Sequence, residues 1–192
     1  MAHRNFTSPI EANQIVPQLL VPVAHRGEVR NCKAMSSLPI VVFDLDFTVW
    51  DAGGTWCDHL DPPFSISDGR VVDRYDSHVR LYPDVRDILE ELSDAGHFLS
   101  VASRTGRPDW ARELMELLEI RHLFEHEEIY PGSKVTHFRG IAEASGSEYA
   151  NMVFFDDEHR NIVEVGALGV HAVHVTRGLK RGIVTSALDA IM

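Results

Sequence analysis

Val41-Val42-Phe43-Asp44-Leu45-Asp46-Phe47-Thr48 is an apolar run that delivers two carboxylates, two residues apart, at its end. Ile40 to Phe43 is β-branched and aromatic with no polar interruption, the pattern of a central strand in a parallel sheet buried on both faces. Asp44 then stands at the carboxyl end of that strand, and Asp46 where the chain leaves it. In open α/β sheets ligands bind outside that edge, so a carboxylate there faces a cleft while the residues behind it stay in the core. The pair has a plainer reading as well, because aspartate commonly ends strands and opens turns. Covalent chemistry at Asp44 therefore needs support from elsewhere in the chain.

Outward from this strand, strand-like and helix-like segments alternate from Pro39 onward, which predicts right-handed βαβ units in an α/β, doubly wound, Rossmann-like fold with a parallel five-stranded sheet. Pro83 to Ala95 reads as a helix with Val85, Ile88, Leu89 and Leu92 inward and Gly96 as its stop. His97 to Ser103 is the second strand. Pro108 opens a helix with Trp110, Leu114, Leu117 and Leu118 on one stripe. Glu127 to Tyr130 is a short strand, and Ser133 caps a helix with Val135, Phe138 and Ala142 inward, ended by Gly146. Met152 to Phe155 is a fully apolar strand, followed by a helix at Asn161 to Leu168, a strand at Val170 to Val175 and a helix at Gly182 to Ile191. Residues 50–80 break the alternation. Asp68-Gly69 between Phe64-Ser65-Ile66 and Val71-Val72 is a hairpin signal, and about 30 residues cannot build a separate core, so this insert reads as a small β flap beside the site, with no large cap.

At 192 residues the chain suits one α/β domain, at 38–192. Residues 1–37 read as a flexible N-terminal extension, broken by Pro9, Pro17 and Pro22. Arg4, Arg26, Arg30 and Lys33 there outnumber Glu11 and Glu28, which keeps a targeting-segment reading open, and Met35 stands at the start of the folded pattern. A net charge of −11 argues against nucleic acid, which is bound through basic faces. No apolar run approaches a membrane span, so no membrane partner is expected. With only Cys32 and Cys57 there is no disulfide framework, and a reducing, cytoplasmic setting fits. Nothing in the sequence sets an oligomeric state.

Four strand ends carry groups suited to phosphate chemistry: Asp44 with Asp46, Ser103, Lys134, and Asp156 with Asp157. Arg104-Thr105-Gly106-Arg107 follows Ser103 as a donor-rich loop leading into a helix, which suits an anion. Lys134 falls in the first turn of its helix, where the helix dipole disfavours a cation, so something anionic should lie nearby. Adjacent carboxylates at a buried strand end repel unless a cation neutralises them, and hard oxygen ligands suit Mg²⁺. Each feature alone has a structural explanation: a strand-ending serine, a solvated lysine, a pair of turn aspartates.

Together, DLDFT, VASRT, EIYPGSK and FFDDEHRN in this order resemble the haloacid dehalogenase-like superfamily and, more narrowly, its magnesium-dependent phosphatase family, through His59-Leu60-Asp61-Pro62-Pro63-Phe64, Tyr130-Pro131-Gly132-Ser133-Lys134 and Phe155-Asp156-Asp157-Glu158. The resemblance covers about Pro39 to Leu179, and it departs at Asp51-Ala52-Gly53-Gly54. It implies a Mg²⁺-dependent phosphomonoesterase acting through an aspartyl-phosphate intermediate. Asp44 would be the nucleophile and a metal ligand, and Asp46 the general acid and base, with its carbonyl on the metal. Ser103 and Lys134 would bind the phosphoryl group with main-chain N–H groups near Arg104 and Phe47, Asp156 would complete the protein ligands, and Asp157 and Thr48 would stand behind them.

A phospho-accepting receiver-like signalling domain uses similar groups, but carries its lysine after all its acidic residues, whereas Lys134 precedes Asp156. His59, Asp61 and His78 lack metal-ligand spacing and read as surface groups; Trp50, Trp56 and Trp110 read as packing, with Trp50 near enough to Thr48 to border the leaving-group site. An uncapped site is compatible with phosphoprotein (phosphotyrosine), protein-bound sugar phosphate or small phosphate ester substrates.

Overall fold

A computed structural model describes residues 38–191, and the expected N-terminal extension lies outside the described residues. The first strand, β1 (Ile40–Phe43), is completely enclosed. It leads into an antiparallel insert of four short strands: β2 (Trp50–Asp51), β3 (Ser65–Ser67), β4 (Arg70–Val72) and β5 (His78–Leu81). The hairpin signal holds, since Asp68 (φ 49°) and Gly69 (φ 72°) form the turn between β3 and β4 in the left-handed conformation that such a two-residue hairpin requires. The insert is nevertheless more than one hairpin, for β2 pairs with β5 and the strand order is β2-β5-β4-β3. Two- and three-residue strands carry too little periodicity to be read from sequence.

The alternating pattern then resumes with α1 (Val85–Asp94), β6 (Leu99–Ser103), α2 (Pro108–Leu117), β7 (His126–Ile129), α3 (Lys134–Ser145), β8 (Met152–Asp156), α4 (His159–Gly166), β9 (His171–His174) and α5 (Arg181–Asp189). The main sheet is parallel in the order β7-β6-β1-β8-β9, so the connections run outward in both directions from β1. That reversal beside β1 is where a doubly wound sheet opens a crevice at its carboxyl edge.

Alternation along β1 divides the core. Val41 and Phe43 face α1, α2 and α5, with Phe43 stacked on Phe155 at 5.6 Å, while Ile40 and Val42 face Phe138 and Ile141 of α3 and Val165 of α4. Helix α1 buries the four residues its spacing predicts. Helix α2 is rotated from expectation: Ala111, Leu114 and Met115 are buried within it, while Trp110 and Leu117 are half-buried. Helix α3 is capped by the Ser133 hydroxyl, which accepts from the Val135 N–H at 3.2 Å, and it stops at Gly146 (φ 67°), as expected. Its inward face differs, since Lys134, His137, Phe138 and Ile141 are buried and Val135 and Ala142 only half-buried. Lys134 stands on that inward face with its ammonium against carboxylates from the sheet.

Candidate active site

The backbone ladder runs one residue past β1, where the Asp44 N–H donates to the Phe155 carbonyl at 2.9 Å. The chain then curls tightly. The Leu45 carbonyl accepts from the N–H groups of Thr48 (3.3 Å), Val49 (2.8 Å) and Trp50 (3.1 Å), with Phe47 at φ 58°. A non-glycine residue in that region is uncommon and marks a turn held by its surroundings. The curl brings Trp50 back over Asp46, whose Oδ1 accepts from the indole Nε1 at 2.7 Å and from the Cys57 N–H at 2.9 Å.

Lys134 enters from the start of α3 with no exposed surface. Its ammonium lies 2.5 Å from Asp44 Oδ1 and 2.9 Å from Asp156 Oδ2, and it also donates to the Ala102 carbonyl. A buried ammonium is tolerated only when each proton is matched in this way. Burial would lower the lysine pKa, but the two carboxylates overcome it and hold the value above the ordinary one. Burial pushes the Asp44 carboxyl well up, Lys134 pulls it back and Asp156 raises it again. Asp46 is also raised by burial, against the N–H donors of Trp50 and Cys57. Asp157, half-buried beside Asp156 and Glu158, is pushed up to about 6.

Asp156 ends β8 with its carboxylate enclosed. Its Oδ1 accepts from the Glu158 N–H at 2.7 Å, and Oδ1 and Oδ2 both accept from Asn161 Nδ2, at 3.0 and 2.9 Å. Ser103 closes β6, and its hydroxyl accepts from the Thr105 N–H at 3.5 Å. Arg104 turns toward Glu158 (3.3 Å) and Asn161 (3.2 Å), so its side chain is committed to these neighbours.

Asp44, Asp46, Ser103, Arg104, Lys134 and Asp157 line one cavity of about 330 Å³. Thr48 lies behind it: its carbonyl accepts from the Leu179 N–H at 2.9 Å, while its buried hydroxyl meets no protein partner among the described residues. Thr105 lines the cavity too, within the donor-rich loop expected there, whereas Asn161, Glu158 and, from the flap, Asp58 line it without any role assigned to them from sequence. Trp56 and His59 border the cavity from the flap, whereas Trp50, expected near the leaving group, is buried beneath it. The Cys57 thiol donates to Thr105 Oγ1 at 3.5 Å, and burial pushes its pKa up, so it is an inert neighbour.

One carboxylate oxygen from each of Asp44, Asp156 and Asp157 lies within 4.8 Å of the others. Three converging carboxylates form a hard oxygen set, which fits a small divalent cation such as Mg²⁺.

The fold with this acidic edge is that of the haloacid dehalogenase-like hydrolases. Two solved structures show the likeness: the Mg-complexed phosphatase-domain N-terminal part of a Bacteroides fragilis protein (TM-score 0.54, 17% identity, 73% of this chain and 37% of that one), and a haloacid dehalogenase-like hydrolase from Streptococcus pneumoniae (TM-score 0.53, 18% identity, 80% and 92%). A family model described as Acid Phosphatase matches residues 37–192. Among curated proteins the chain is similar to human magnesium-dependent phosphatase 1, with 44% identity over 81% of this chain and 88% of the relative, and to a haloacid dehalogenase-like hydrolase superfamily protein of Schizosaccharomyces pombe, with 40% identity over 68% and 81%. The chain belongs to this acid phosphatase family.

Proposed function

We propose that the chain is a Mg²⁺-dependent phosphomonoesterase that works through an aspartyl-phosphate on Asp44. The observation that carries this reading is the fully buried Lys134 ammonium, 2.5 Å from Asp44 and 2.9 Å from Asp156, at the edge of an open cavity. Asp44, Asp156, Asp157 and the Asp46 carbonyl would hold Mg²⁺; when bound, the ion supplies positive charge against the repulsion between the Asp44 carboxylate and a phosphate ester.

Ser103 holds a phosphoryl oxygen with main-chain N–H groups near Arg104 and Phe47, and Lys134 holds another by exchanging one of its present acceptors for it. An Asp44 carboxylate oxygen attacks phosphorus, the bond to the leaving oxygen breaks, and Asp46 gives that oxygen its proton. Asp46, now a carboxylate, then takes a proton from water as the water oxygen attacks phosphorus. The bond from phosphorus to Asp44 breaks, releasing inorganic phosphate and restoring both groups. Burial favours the protonated form of Asp46 that the first step uses.

Residues 38–192 form the phosphatase domain in this reading, with 50–80 as its flap and no large cap. Such an opening suits phosphotyrosine on a protein, a protein-bound sugar phosphate or a small ester, and a reducing, cytoplasmic setting suits the free Cys57.

Rapid-quench labelling with an activated aryl phosphate tests the mechanism. Label should appear only with Mg²⁺, be released by hydroxylamine, map to Asp44 and vanish in Asp44→Asn. Full turnover in excess chelator, or label on serine or histidine, overturns it.

A further inference from the structure

We infer that Trp50 is a positioning residue for proton transfer, aiming the Asp46 carboxyl at the leaving oxygen through its indole N–H; this rests on Asp46 being the proton-transfer group proposed above.

Trp50 has no exposed surface, and by composition alone it is a core residue. Its polar edge is used in a specific way. The curl closed on the Leu45 carbonyl folds residue 50 back onto residue 46, and Nε1 meets Asp46 Oδ1 at 2.7 Å. The Cys57 N–H reaches the same oxygen at 2.9 Å. Both donors come from the flap: Trp50 opens β2 and pairs with Leu81 of β5, and Cys57 begins the short 3-10 turn at Cys57–His59. The insert thus grips a carboxyl that stands just before its own first strand.

An oxygen that accepts two N–H groups is a poor place for a proton, so the acid form of Asp46 carries its hydrogen on Oδ2. Turning the carboxyl over would break two buried hydrogen bonds at once, each costly to leave unmade. One oxygen is therefore an anchor and the other does the chemistry. In the first step the Oδ2–H bond breaks and the leaving oxygen gains the proton; in the second, Oδ2 gains a proton from water. The Oδ1 donors are unchanged in both. The competing explanation is that Asp46 merely satisfies a buried indole N–H, in which case Trp50 matters to folding alone.

The test replaces Trp50 by Phe and, site-specifically, by its benzothiophene analogue, which keeps the fused ring and lacks the N–H. Turnover is measured with Mg²⁺ for esters graded from an alkyl to a nitroaryl leaving group, in the wild-type and Asp46→Asn backgrounds. Poor leaving groups need the proton and good ones do not. The expected result is a loss of about tenfold in kcat/KM, which reports the step that forms the aspartyl-phosphate, for the alkyl ester, from one misdirected charge-assisted hydrogen bond, with little loss in kcat/KM for the nitroaryl ester and no further loss in the Asp46→Asn background. Equal losses for all esters, or losses that multiply with Asp46→Asn, overturn the inference. If Asp46→Asn itself shows no leaving-group dependence, the underlying reading of Asp46 fails instead. Should Trp50→Phe not fold, the analogue carries the test, since it fills the same volume.

Discussion

Asn161 Nδ2 lies 3.0 and 2.9 Å from the two carboxylate oxygens of Asp156, while Oδ1 of the same amide accepts from Arg104 at 3.2 Å. The amide is thus held at both ends, and it fixes the plane of a carboxylate that has no exposed surface. Groups that orient a metal ligand from behind typically change metal affinity ten- to a hundredfold when removed. Asn161→Ala should therefore raise the Mg²⁺ concentration for half-maximal activity by about tenfold or more, with near wild-type turnover at saturating Mg²⁺. An unchanged Mg²⁺ midpoint would show that Asn161 does not orient a ligand.

Lys134 is the sole cation given to two enclosed carboxylates by the described residues nearest them. Lys134→Met should abolish turnover and lower unfolding stability by about 3–5 kcal/mol, because both partners stay buried without compensation. The same substitution in an Asp44→Asn background should cost less, since only Asp156 is then left unpaired. Denaturant midpoints of the four proteins check this; equal costs in both backgrounds would mean that Asp44 and Lys134 are not energetically coupled.

Thr48 gives a contrasting case. Its hydroxyl is buried and meets no protein partner among the described residues, so burial costs it hydration without a protein hydrogen bond in exchange. Thr48→Val keeps the shape and removes that group, and should leave stability unchanged or raise it by up to about 1 kcal/mol. Its turnover should match the wild type. A folded variant with lost turnover would return Thr48 to the site as a working group.

The difference between these residues explains what was legible in the sequence. Strands β1 and β8 declare themselves because Ile40–Phe43 and Met152–Phe155 are unbroken apolar runs, and α1 because its stripe and its stop agree. The aspartates, Ser103 and Lys134 could be gathered because each stands at a strand end or helix start. Lys134's burial could not be read, for a lysine in a first turn looks solvated until strands distant in sequence bring Asp44 and Asp156 around it. That inward side chain lies on the face that α3 buries, which the expected stripe did not include. The hydrogen bonds of Asn161 and of the Trp50 indole are illegible for a related reason: composition and periodicity report surface and packing alone, so Trp50 reads only as packing near the leaving-group site. The four-stranded flap escaped because its strands are only two to four residues long.

Within that flap, Asp73 makes stability depend on acid. Its carboxylate accepts from the N–H groups of Tyr75 (2.8 Å), Ser77 (2.9 Å) and Asp61 (3.1 Å), tying the β4–β5 loop to the segment before β3. Burial raises its pKa, but these donors outweigh burial and hold it below the ordinary carboxylate value of 3.8. A group whose folded pKa is depressed contributes stability that is fully present above its unfolded pKa and is lost as pH falls through the folded one. Asp73 should thus support the flap at all pH values above about 4 and stop doing so in stronger acid. Asp73→Ala should cost about 2 kcal/mol at neutral pH, where three charge-assisted bonds are lost, and progressively less below pH 4, where the wild type loses them too. Denaturant unfolding of both proteins at neutral and acid pH measures the difference, and a cost that stays constant across that range would mean that the Asp73 charge plays no part in holding the loop.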